Sequence, residues 1–400
     1  MTENDTTFAI IGGGLAGAKA AEALRDQGFA GTVALYSAEE QLPYERPPLS
    51  KDFLAGKKTL AEFTVHDSDW YRDNNIDLRS GSTVTAIDPQ ARTVRLDDGS
   101  IEGYDKLLLA TGSRSRRPKI PGSVASGVHY LRTVDDAEEL NSVLTEGSSL
   151  AVVGAGWIGL EVAAGARDRG VNVTVVESAK LPLLAALGEE VAEVFANLHR
   201  EHGVDLHLAT SVEEITTEDG TATGLLLGDG STVAADVVLV AVGAQANVEL
   251  AEEAGLAMAG GGVQVTSALR TSDPDIYAVG DIAAADNPVF DTRIRTEHWA
   301  NAMKQPAVAV AGMLGNTAEY PRGYDELPYF FTDQYDLGME YVGHSAGYQR
   351  VEFRGDVPGR EFTVYWLDGD DRVLAGMNVN IWEGLDDIKA LIRERRPLPK

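Results

Sequence analysis

The sequence predicts an α/β protein with two Rossmann-like dinucleotide-binding domains, followed by an α+β domain at the C-terminus. Two observations carry this prediction. A pattern of apolar strand, glycine-rich turn, helix and second strand occurs twice, starting near residues 8 and 150, and this is the pattern of a βαβ unit. From residue 321 onward, aromatic segments of strand character alternate with turns. A chain of 400 residues has room for two or three such units.

The first βαβ unit contains a glycine turn suited to a dinucleotide. A strand at residues 8–11 leads into Gly-Gly-Gly-Leu-Ala-Gly, then a helix to residue 24 and a strand at residues 32–36. Glycines let the backbone approach a pyrophosphate, and the start of the next helix stabilises its negative charge. A glutamate beyond the second strand can accept hydrogen bonds from a ribose. The candidate contacts are Gly12, Gly14, Ala16, Gly17 and Glu39.

The second βαβ unit repeats this arrangement and indicates which dinucleotide it binds. A strand at residues 150–153, the turn Gly-Ala-Gly-Trp-Ile-Gly, a helix to about residue 170 and a strand at residues 171–176 precede Glu177. A carboxylate here accepts a hydrogen bond from a ribose 2′-hydroxyl and repels a 2′-phosphate, so NADH is favoured over NADPH. Two sites imply two dinucleotides, and FAD with NADH is the most economical pair. The candidates are Gly154, Gly156, Ile158, Gly159, Glu177 and Gly243.

The remaining segments indicate how the chain divides into domains. Apolar strands are predicted at residues 106–110 and 237–242, an Arg- and Pro-rich hinge loop at 113–122, another loop at 277–282, and helices at about 300–314 and 385–393. The predicted domains are an FAD-binding domain at residues 1–117 and 245–320, an NADH-binding domain at 118–244 and a C-terminal domain at 321–400.

The composition excludes several classes of function. With 62 acidic and 34 basic residues the formal net charge is −28, which repels nucleic acids and anionic membranes. No apolar run is long enough to span a bilayer, and the polar start of the chain, MTENDTT, lacks the features of a signal peptide. We therefore expect a cytoplasmic protein without a nucleic-acid or membrane partner.

Four further motifs resemble a known family. They are Pro43-Tyr44-Glu45-Arg46-Pro47-Pro48-Leu49-Ser50-Lys51, Ala110-Thr111-Gly112, Tyr277-Ala278-Val279-Gly280-Asp281 and Asp333-Gln334-Tyr335. In this order they resemble the FAD-dependent ferredoxin and rubredoxin reductases of bacterial oxygenase systems. These proteins are putidaredoxin-reductase-like, have a glutathione-reductase-like fold and are related to apoptosis-inducing factor. The resemblance covers nearly the whole chain.

The resemblance implies roles for individual residues. Lys51 would lie near flavin N5, and its pairing with Glu161 would position the nicotinamide, so these two are the candidate catalytic residues. Asp281 would hydrogen-bond the ribityl chain of FAD. Trp299 would lie beside the flavin at the start of a helix, whose dipole stabilises negative charge on the reduced ring. Further implied contacts are Arg46 and Arg132 with the phosphates, the backbone of Val84 with the adenine, and Thr111 and Gly112 at a strand end.

The chain departs from the family pattern at two positions. Ala38 occupies a position after the second strand where relatives often carry an acid, so the ribose contact would shift to Glu39. Phe331 occupies a position where many relatives carry a tryptophan close to the flavin edge. His298, just before Trp299, is interpreted as a hydrogen-bonding group at a helix start and not as a proton carrier.

The absence of cysteine restricts the chemistry further. The chain has 0 cysteines, so a redox-active disulfide, a sulfenic-acid centre and a cysteine-ligated iron–sulfur cluster are impossible. This excludes lipoamide, glutathione and thioredoxin reductases, although they share the architecture. Electrons must leave directly from the flavin, and no metal site is expected.

The implied function is NADH-dependent reduction of a ferredoxin. NADH would deliver hydride to flavin N5, and single electrons would pass to a 2Fe–2S ferredoxin that serves an oxygenase, from a monomer or a homodimer. The alternatives are an NADH:quinone or NADH oxidase-type flavoprotein and a redox-sensing interaction protein. Ferredoxins are commonly acidic and the chain is too, so a basic docking face is needed. Its candidates are Arg293 and Arg295, or the run Arg114, Arg116, Arg117 and Lys119.

Overall fold

The computed structural model describes residues 6–400. Most of the polar start that was interpreted as unlike a signal peptide lies outside these residues. No helix within residues 6–400 is long and apolar enough to cross a membrane.

The first part of the chain forms eight strands and two helices. Its strands are β1 (Thr7–Ile11), β2 (Thr32–Tyr36), β3 (Ile76–Arg79), β4 (Val84–Asp88), β5 (Thr93–Leu96), β6 (Ile101–Gly103), β7 (Lys106–Leu109) and β8 (Ser113–Ser115). Its helices are α1 (Leu15–Asp26) and α2 (Ser68–Asp73), with short 3-10 helices at Pro47–Ser50 and Leu60–Glu62.

The middle part contains nine strands and four helices. The strands are β9 (Val128–His129), β10 (Ser149–Val153), β11 (Asn172–Val176), β12 (Asp205–His207), β13 (Val212–Glu218), β14 (Thr221–Leu227), β15 (Thr232–Ala234), β16 (Val237–Val240) and β17 (Ala244–Ala246). The helices are α3 (Val134–Val143), α4 (Trp157–Asp168), α5 (Leu184–Leu187) and α6 (Glu189–Glu201).

The last part begins with α7 (Glu249–Glu253) and ends with α9 (Leu385–Arg393). Between them lie β18 (Met258–Ala259), β19 (Gly262–Val265), β20 (Ile276–Ala278), a 3-10 helix (Gly280–Ile282), β21 (Ala283–Asn287), β22 (Thr292–Ile294) and α8 (Trp299–Leu314). The strands of the C-terminal sheet follow as β23 (Tyr329–Gln334), β24 (Leu337–Gly343), β25 (Arg350–Asp356), β26 (Glu361–Leu367) and β27 (Val373–Val379).

Two parallel five-stranded sheets form the centres of the two dinucleotide units. The first has the order β20-β7-β1-β2-β3 and the second β12-β11-β10-β16-β9. In each, the first strand of the βαβ unit lies in the middle, with Ile11 opposite both Tyr36 and Leu109, and Val153 opposite both Val176 and Val240. These central strands are apolar on both faces because helices or loops cover both sides.

The chain crosses between the two units twice, and the crossings lie side by side. Strand β8 pairs antiparallel with β17, with Ser115 opposite Ala244. The hinge loop predicted at residues 113–122 was therefore wrong in part, because its first residues form this strand. The loop predicted at residues 277–282 was also wrong in part, since strand β20 and a 3-10 helix occupy most of it. The domain limits themselves stay a prediction.

The C-terminal part is an antiparallel sheet of order β23-β24-β27-β26-β25 with α9 against it. Its inner face shares one hydrophobic core with the second dinucleotide unit, in which Trp366 and Phe195 are fully buried. The indole nitrogen of Trp366 donates to the carbonyl of Leu187 at 3.0 Å. The predicted architecture of two Rossmann-like units and a C-terminal α+β unit is confirmed.

Candidate functional site

The site is a cavity of about 630 Å³ to which all three parts of the chain contribute. The carboxyl ends of β1, β7 and β20 supply its floor, as expected for ligand sites in parallel sheets. The start of α4 and strand β23 supply an adjoining wall, in which Trp157 and Phe330 pack together. The residues predicted from the sequence that line it are Gly12, Gly14, Ala16, Glu39, Arg46, Lys51, Thr111, Gly112, Arg132, Ile158, Glu161, Asp281 and Trp299.

The first glycine turn has the shape that a pyrophosphate requires. Gly12 has φ +118°, and a Cβ there would lie 2.1 Å from the carbonyl oxygen of Ala110. A Cβ on Gly17 would lie 1.9 Å from the carbonyl oxygen of Gly12, so this residue packs the helix against the turn. A Cβ on Gly14 would meet no heavy atom of the described chain within 4 Å, because it faces the cavity. The turn and the start of α1 therefore fit a dinucleotide phosphate.

The second glycine turn repeats this geometry. Gly154 has φ +100° and lies close to the carbonyl oxygen of Ala241, and a Cβ on Gly159 would lie 2.4 Å from the carbonyl oxygen of Gly154. Around Gly156 the space is open: no heavy atom within residues 6–400 lies within 4 Å of a Cβ placed there. The second turn and the start of α4 therefore also have a geometry that fits a dinucleotide phosphate.

The carboxylate of Glu177 is fixed at the second turn. Its Oε2 accepts the backbone N–H of Ala155 and its Oε1 that of Ala179, both at 2.8 Å. The hydroxyl of Ser178 also donates to Oε1, at 3.1 Å. A carboxylate has about four acceptor positions, so about one remains for a ribose hydroxyl. Gly243, with φ +97°, accepts the N–H of Arg116 at 2.9 Å beside the chain crossing.

The carboxylate of Glu39 is bound by side chains of the protein. Arg46 forms an ion pair with its Oε1 at 2.6 Å, and the hydroxyl of Tyr44 donates to its Oε2. Burial raises the pKa of Tyr44, with the Arg46 charge opposing. Arg46 also donates to the carbonyl oxygen of Arg132 at 2.5 Å. Glu39 is thus oriented at the cavity wall, as the predicted ribose contact needs.

A second arginine is paired with the predicted ribityl-binding acid. Arg132 lies 2.8 Å from Asp281 and donates through Nε to the carbonyl of Ser113 at 2.7 Å. Burial lowers the pKa of Arg132, with Asp281 opposing, but a guanidinium stays charged at all ordinary pH values. The turn before Asp281 is held because Gln305 accepts the N–H of Gly280 at 2.7 Å. Two cations therefore face the cavity, where a pyrophosphate would need them.

The ion pair of Lys51 and Glu161 joins the three parts of the molecule. Lys51 Nζ lies 2.7 Å from Glu161 Oε1, and Glu161 is only 6% exposed. Ser50 donates to Glu161 Oε2 at 2.5 Å, and Thr332 of strand β23 donates to Oε1 at 2.6 Å. A buried carboxylate needs such partners, because the removal of an unpaired ion from water costs several kcal/mol, as an order of magnitude.

Trp299 begins helix α8 at the cavity, and its indole donates to Glu45 Oε2 at 2.9 Å. The ring of Phe331 lies edge-on to Trp299 at 6.2 Å between centroids and 5.7 Å from Lys51 Nζ. Phe331 thus occupies the wall between the tryptophan and the ion pair. Any cofactor ring in the cavity would be enclosed by aromatic side chains on this side.

His298 differs from its interpretation as a hydrogen-bonding group at the helix start. It is the N-cap residue of α8, yet its side chain forms no capping bond, and within the described part of the chain its buried Nδ1 has no partner. Burial lowers the pKa of His298 to about 4, with Asp281 opposing. The ring is therefore neutral at physiological pH, and it leaves a polar atom at the cavity that a polar cofactor would satisfy.

Some predicted residues lie outside the cavity. Gly17 packs behind the first turn, and Gly154, Gly156, Gly159, Glu177 and Gly243 surround the second turn, beyond the cavity wall formed by Ile158. Val84 is buried in strand β4 and is not among the described residues that line the cavity, so its adenine contact stays a prediction.

Sequence reasoning missed the residues that hold the predicted ones. Ser50 and Thr332 fix Glu161, Glu45 fixes Trp299, and Asn247 accepts from Thr111 through its carbonyl at 2.6 Å. Arg117, which was named only as part of a candidate docking run, lines the cavity and lies 4.2 Å from the centre of the Tyr130 ring, a cation–π contact. Ser50 and Glu45 lie within the motif that contains Lys51, which was the only available signal.

The fold and the site define a two-dinucleotide flavoprotein oxidoreductase, because the chain has two phosphate-binding turns, and the first turn and the helix that follows the second turn both border the cavity that contains the ion pair. The chain belongs to the pyridine nucleotide-disulphide oxidoreductase family, whose sequence model matches residues 6–306. Residues 329–400 match the model of the reductase C-terminal domain. The resemblance inferred from the motifs is confirmed.

Relatives of known function match along nearly the whole chain. The ferredoxin--NAD(+) reductase component of the anthranilate 1,2-dioxygenase system of Burkholderia cepacia is 41% identical over 96% of this chain and 93% of its own length. Rhodocoxin reductase of Rhodococcus erythropolis is 39% identical over 94% and 86%. Putidaredoxin reductase of Pseudomonas putida is 38% identical over 100% and 94%.

Solved structures agree with this assignment. The covalent putidaredoxin reductase-putidaredoxin complex superposes with a TM-score of 0.94 at 37% identity, covering 98% of this chain and 94% of the other. The ferredoxin reductase for the CYP199A2 system from Rhodopseudomonas palustris superposes with a TM-score of 0.92 at 34% identity, covering 98% and 96%.

Proposed function

We propose that this protein is an NADH-dependent, FAD-containing ferredoxin reductase, which passes electrons from NADH to a 2Fe–2S ferredoxin serving an oxygenase. The observation that carries the proposal is the single cavity onto which the starts of α1 and α4 open. The relatives named as ferredoxin reductase components support it. When bound, FAD supplies the conversion of a two-electron hydride donor into a one-electron donor.

The first dinucleotide unit would hold FAD. The open face of Gly14 and the start of α1 suit its pyrophosphate, and Arg46 and Arg132 supply positive charge nearby. Asp281 and Glu39 offer carboxylate acceptors for hydroxyl groups. Each of these side chains is already fixed by a partner within the protein, so the site is formed in advance and little side-chain entropy is lost on binding.

The second dinucleotide unit would hold NADH. Glu177 presents its remaining acceptor position at the point where the ribose of the adenosine half is expected, and its charge disfavours a 2′-phosphate. Ile158 and Trp157 extend from this turn into the cavity wall. A nicotinamide that reaches the cavity from this side meets the ion pair of Lys51 and Glu161.

The ion pair is suited to position the reacting rings and to exclude water. Lys51 comes from the first unit, Glu161 from α4 of the second, and Thr332 from the C-terminal sheet, so a shift of any one of them disturbs the other two. The charges balance within the site, and the hydroxyls of Ser50 and Thr332 satisfy the remaining acceptor positions. These residues therefore position substrate without needing to move a proton.

Electrons must leave the protein for a separate acceptor, because 0 cysteines leave no disulfide or cluster inside the chain. A soluble iron–sulfur protein meets this need, and an oxygenase would receive the electrons indirectly. We propose a cytoplasmic location, where NADH is available, and cell fractionation tests it.

Anaerobic titration with NADH, followed by mixing with oxidised ferredoxins, tests the function. We expect the visible absorbance band of the oxidised flavin to bleach with about one equivalent of NADH and to return on addition of ferredoxin. Bleaching by NADPH should be slower. Reoxidation only by quinones or oxygen would contradict the proposal and favour an oxidase-type flavoprotein; persistence of the reduced form with every acceptor would favour a redox sensor.

A further inference from the structure

Within residues 6–400, one of the cations that line the cavity has no carboxylate partner. Five lysine or arginine side chains line the cavity. Four of them are in ion pairs, which are Arg46 with Glu39, Lys51 with Glu161, Arg114 with Glu249 and Arg132 with Asp281. The fifth, Arg117, forms no ion pair with any residue that the structure describes. Its positive charge is therefore available to a ligand.

The guanidinium of Arg117 is held over an aromatic ring. It lies 4.2 Å from the centre of the Tyr130 ring, which also lines the cavity. Tyr130 is only 7% exposed, and its hydroxyl donates to the carbonyl of Ser123 at 3.2 Å, so the ring itself is fixed. A guanidinium over a ring keeps its N–H groups free for hydrogen bonds at its edge. Because its position is already restricted, it loses little side-chain entropy when it binds a ligand.

Arg117 lies at the carboxyl edge of the second parallel sheet. Its neighbour Arg116 donates a backbone N–H to the carbonyl of Gly243, just beyond strand β16, at 2.9 Å. Tyr130 directly follows strand β9, which pairs parallel with β16. Ligands of parallel sheets bind at this edge. Arg117 is therefore on the same side of the sheet as the second glycine turn, and Ile158, from the start of α4, lines the same cavity.

The charge balance of the two units differs. Arg46 and Arg132 supply positive charge to the first unit. Close to the second turn in sequence, Glu177 adds a negative charge, and the cation of Lys180 is paired with Glu189 at 2.5 Å. The formal net charge of −28 further opposes the approach of an anionic dinucleotide. The start of α4 offers only a partial positive charge, so a full cation beside the second unit would stabilise a pyrophosphate there.

We propose that Arg117 binds the pyrophosphate of NADH and so orients the dinucleotide between the second glycine turn and the ion pair of Lys51 and Glu161. The inference rests on the proposed function, because it places NADH in the second unit. The planar guanidinium donates hydrogen bonds to the phosphate oxygens, a geometry that arginine suits better than lysine. Arg117 contributes binding and orientation, and no proton or electron passes through it.

This assignment separates Arg117 from the rest of the candidate docking run. Arg116 and Lys119 are also exposed and form no ion pair within residues 6–400, but they do not line the cavity. They are therefore matched controls: each carries the same charge within three residues of the same loop, and only Arg117 faces the site.

Binding of ADP-ribose to the FAD-loaded protein, measured by isothermal titration calorimetry, tests the proposal without turnover. ADP-ribose contains the pyrophosphate of NADH but has no nicotinamide, so it cannot reduce the flavin. We expect its Kd to rise about 10-fold in Arg117→Gln. Arg116→Gln and Lys119→Gln should change it by less than about twofold, as for loss of an exposed charge. Added salt should weaken binding to the wild type more than binding to Arg117→Gln.

Stopped-flow reduction of the flavin by NADH separates binding from hydride transfer. In Arg117→Gln the NADH concentration that gives half the limiting rate should rise by a similar factor, whereas the limiting rate should change little. Arg117→Lys, which keeps the charge but not the planar fork, should recover part of the affinity. FAD content and circular dichroism should match the wild type in every variant.

Three results would overturn the assignment of Arg117. They are an unchanged Kd for ADP-ribose in Arg117→Gln, an equal rise in the two control variants, and a loss of FAD from Arg117→Gln without a change in ADP-ribose binding. The last result would place the residue at the FAD phosphates instead. A wild type whose flavin is reduced by NADH but which then reduces no ferredoxin would contradict the proposed function, and the 10-fold difference in ADP-ribose binding would still support Arg117 as a dinucleotide contact.

Discussion

The ammonium of Lys51 and the carboxylate of Glu161 lie 2.7 Å apart and connect the first dinucleotide unit to the second. Thr332 adds a hydrogen bond from the C-terminal sheet. Because the pair is largely removed from water, each member depends on the other far more than members of a surface pair do.

Removing the cation should therefore be costly. In Lys51→Met, Glu161 keeps only two hydroxyl donors, and we expect the free energy of unfolding to fall by about 3–5 kcal/mol. The rate of flavin reduction by NADH should fall as well. Lys58→Met is the matched control, because Lys58 pairs with Asp52 at 3.3 Å on the surface and should cost about 0–1 kcal/mol. Denaturant unfolding and stopped-flow absorbance measure the two effects; equal losses in both variants would contradict the prediction.

The glycines of the first turn should separate folding from cofactor binding. Gly14→Ala places a methyl group in open space at the start of α1, so the protein should fold but retain less FAD. Gly17→Ala drives a methyl group into the carbonyl of Gly12 and should prevent stable folding. Gly165→Ala, in the middle of α4 with free space around it among the described residues, should stabilise the protein by about 0.5–1 kcal/mol. Flavin content and circular dichroism distinguish these outcomes; full FAD content in Gly14→Ala would argue against this phosphate site.

Cofactor selection should depend on the charge of Glu177. Glu177→Gln keeps an acceptor for a backbone N–H of the turn but removes the repulsion of a 2′-phosphate. We expect the ratio of kcat/KM for NADPH to that for NADH to rise about tenfold or more, equivalent to roughly 1.4 kcal/mol. Glu177→Ala should raise the ratio too, but with a larger loss of NADH activity, because Ala155 and Ala179 lose their acceptor. An unchanged ratio in both variants would remove Glu177 from this role.

Stability should fall on mild acidification because of a buried histidine between the second unit and the C-terminal sheet. His199 is fully buried and bonded to Gln334 at 2.9 Å, and burial lowers its pKa to about 4. The unfolded chain takes up this proton near pH 6.5. The folded protein therefore keeps its full stability above about pH 6.5. As the pH falls toward 4, its free energy of unfolding decreases by up to about 3 kcal/mol, because the unfolded chain binds a proton at His199 that the folded chain does not. His199→Gln should flatten this dependence between pH 7 and 5, and His207→Gln, at the surface, should not; urea unfolding at several pH values measures both.

The parallel units could be predicted from the sequence because their signals are local. The strand Thr32–Tyr36 and the helix Leu385–Arg393 occur where the apolar pattern placed them. Strand β8 could not be predicted, since an Arg- and Pro-rich segment becomes a strand only by pairing with β17, which is distant in sequence. Tertiary pairing decided the conformation there.

The residues of the site also fall into those that the sequence could predict and those that it could not. The glycine turns and Glu177 could be predicted because a phosphate and a ribose require them at fixed positions along one βαβ unit. Glu161 looks like an ordinary helix charge, and only the family resemblance linked it to Lys51. Ser50 and Thr332, which complete its surroundings, are polar residues of a common kind whose role arises from the packing of three separate segments.

The pairing of β8 with β17 means that the polypeptide enters and leaves the second dinucleotide unit through two neighbouring strands. The two ends of that unit are therefore neighbours, so the two junctions of a chimera that exchanges it for the equivalent unit of a relative would lie side by side. Such an exchange is limited by the face of the unit that packs against the C-terminal sheet. There Phe195 and Trp366 share a core, and Trp366 donates a hydrogen bond to the carbonyl of Leu187. A successful transplant would have to carry the C-terminal sheet with it.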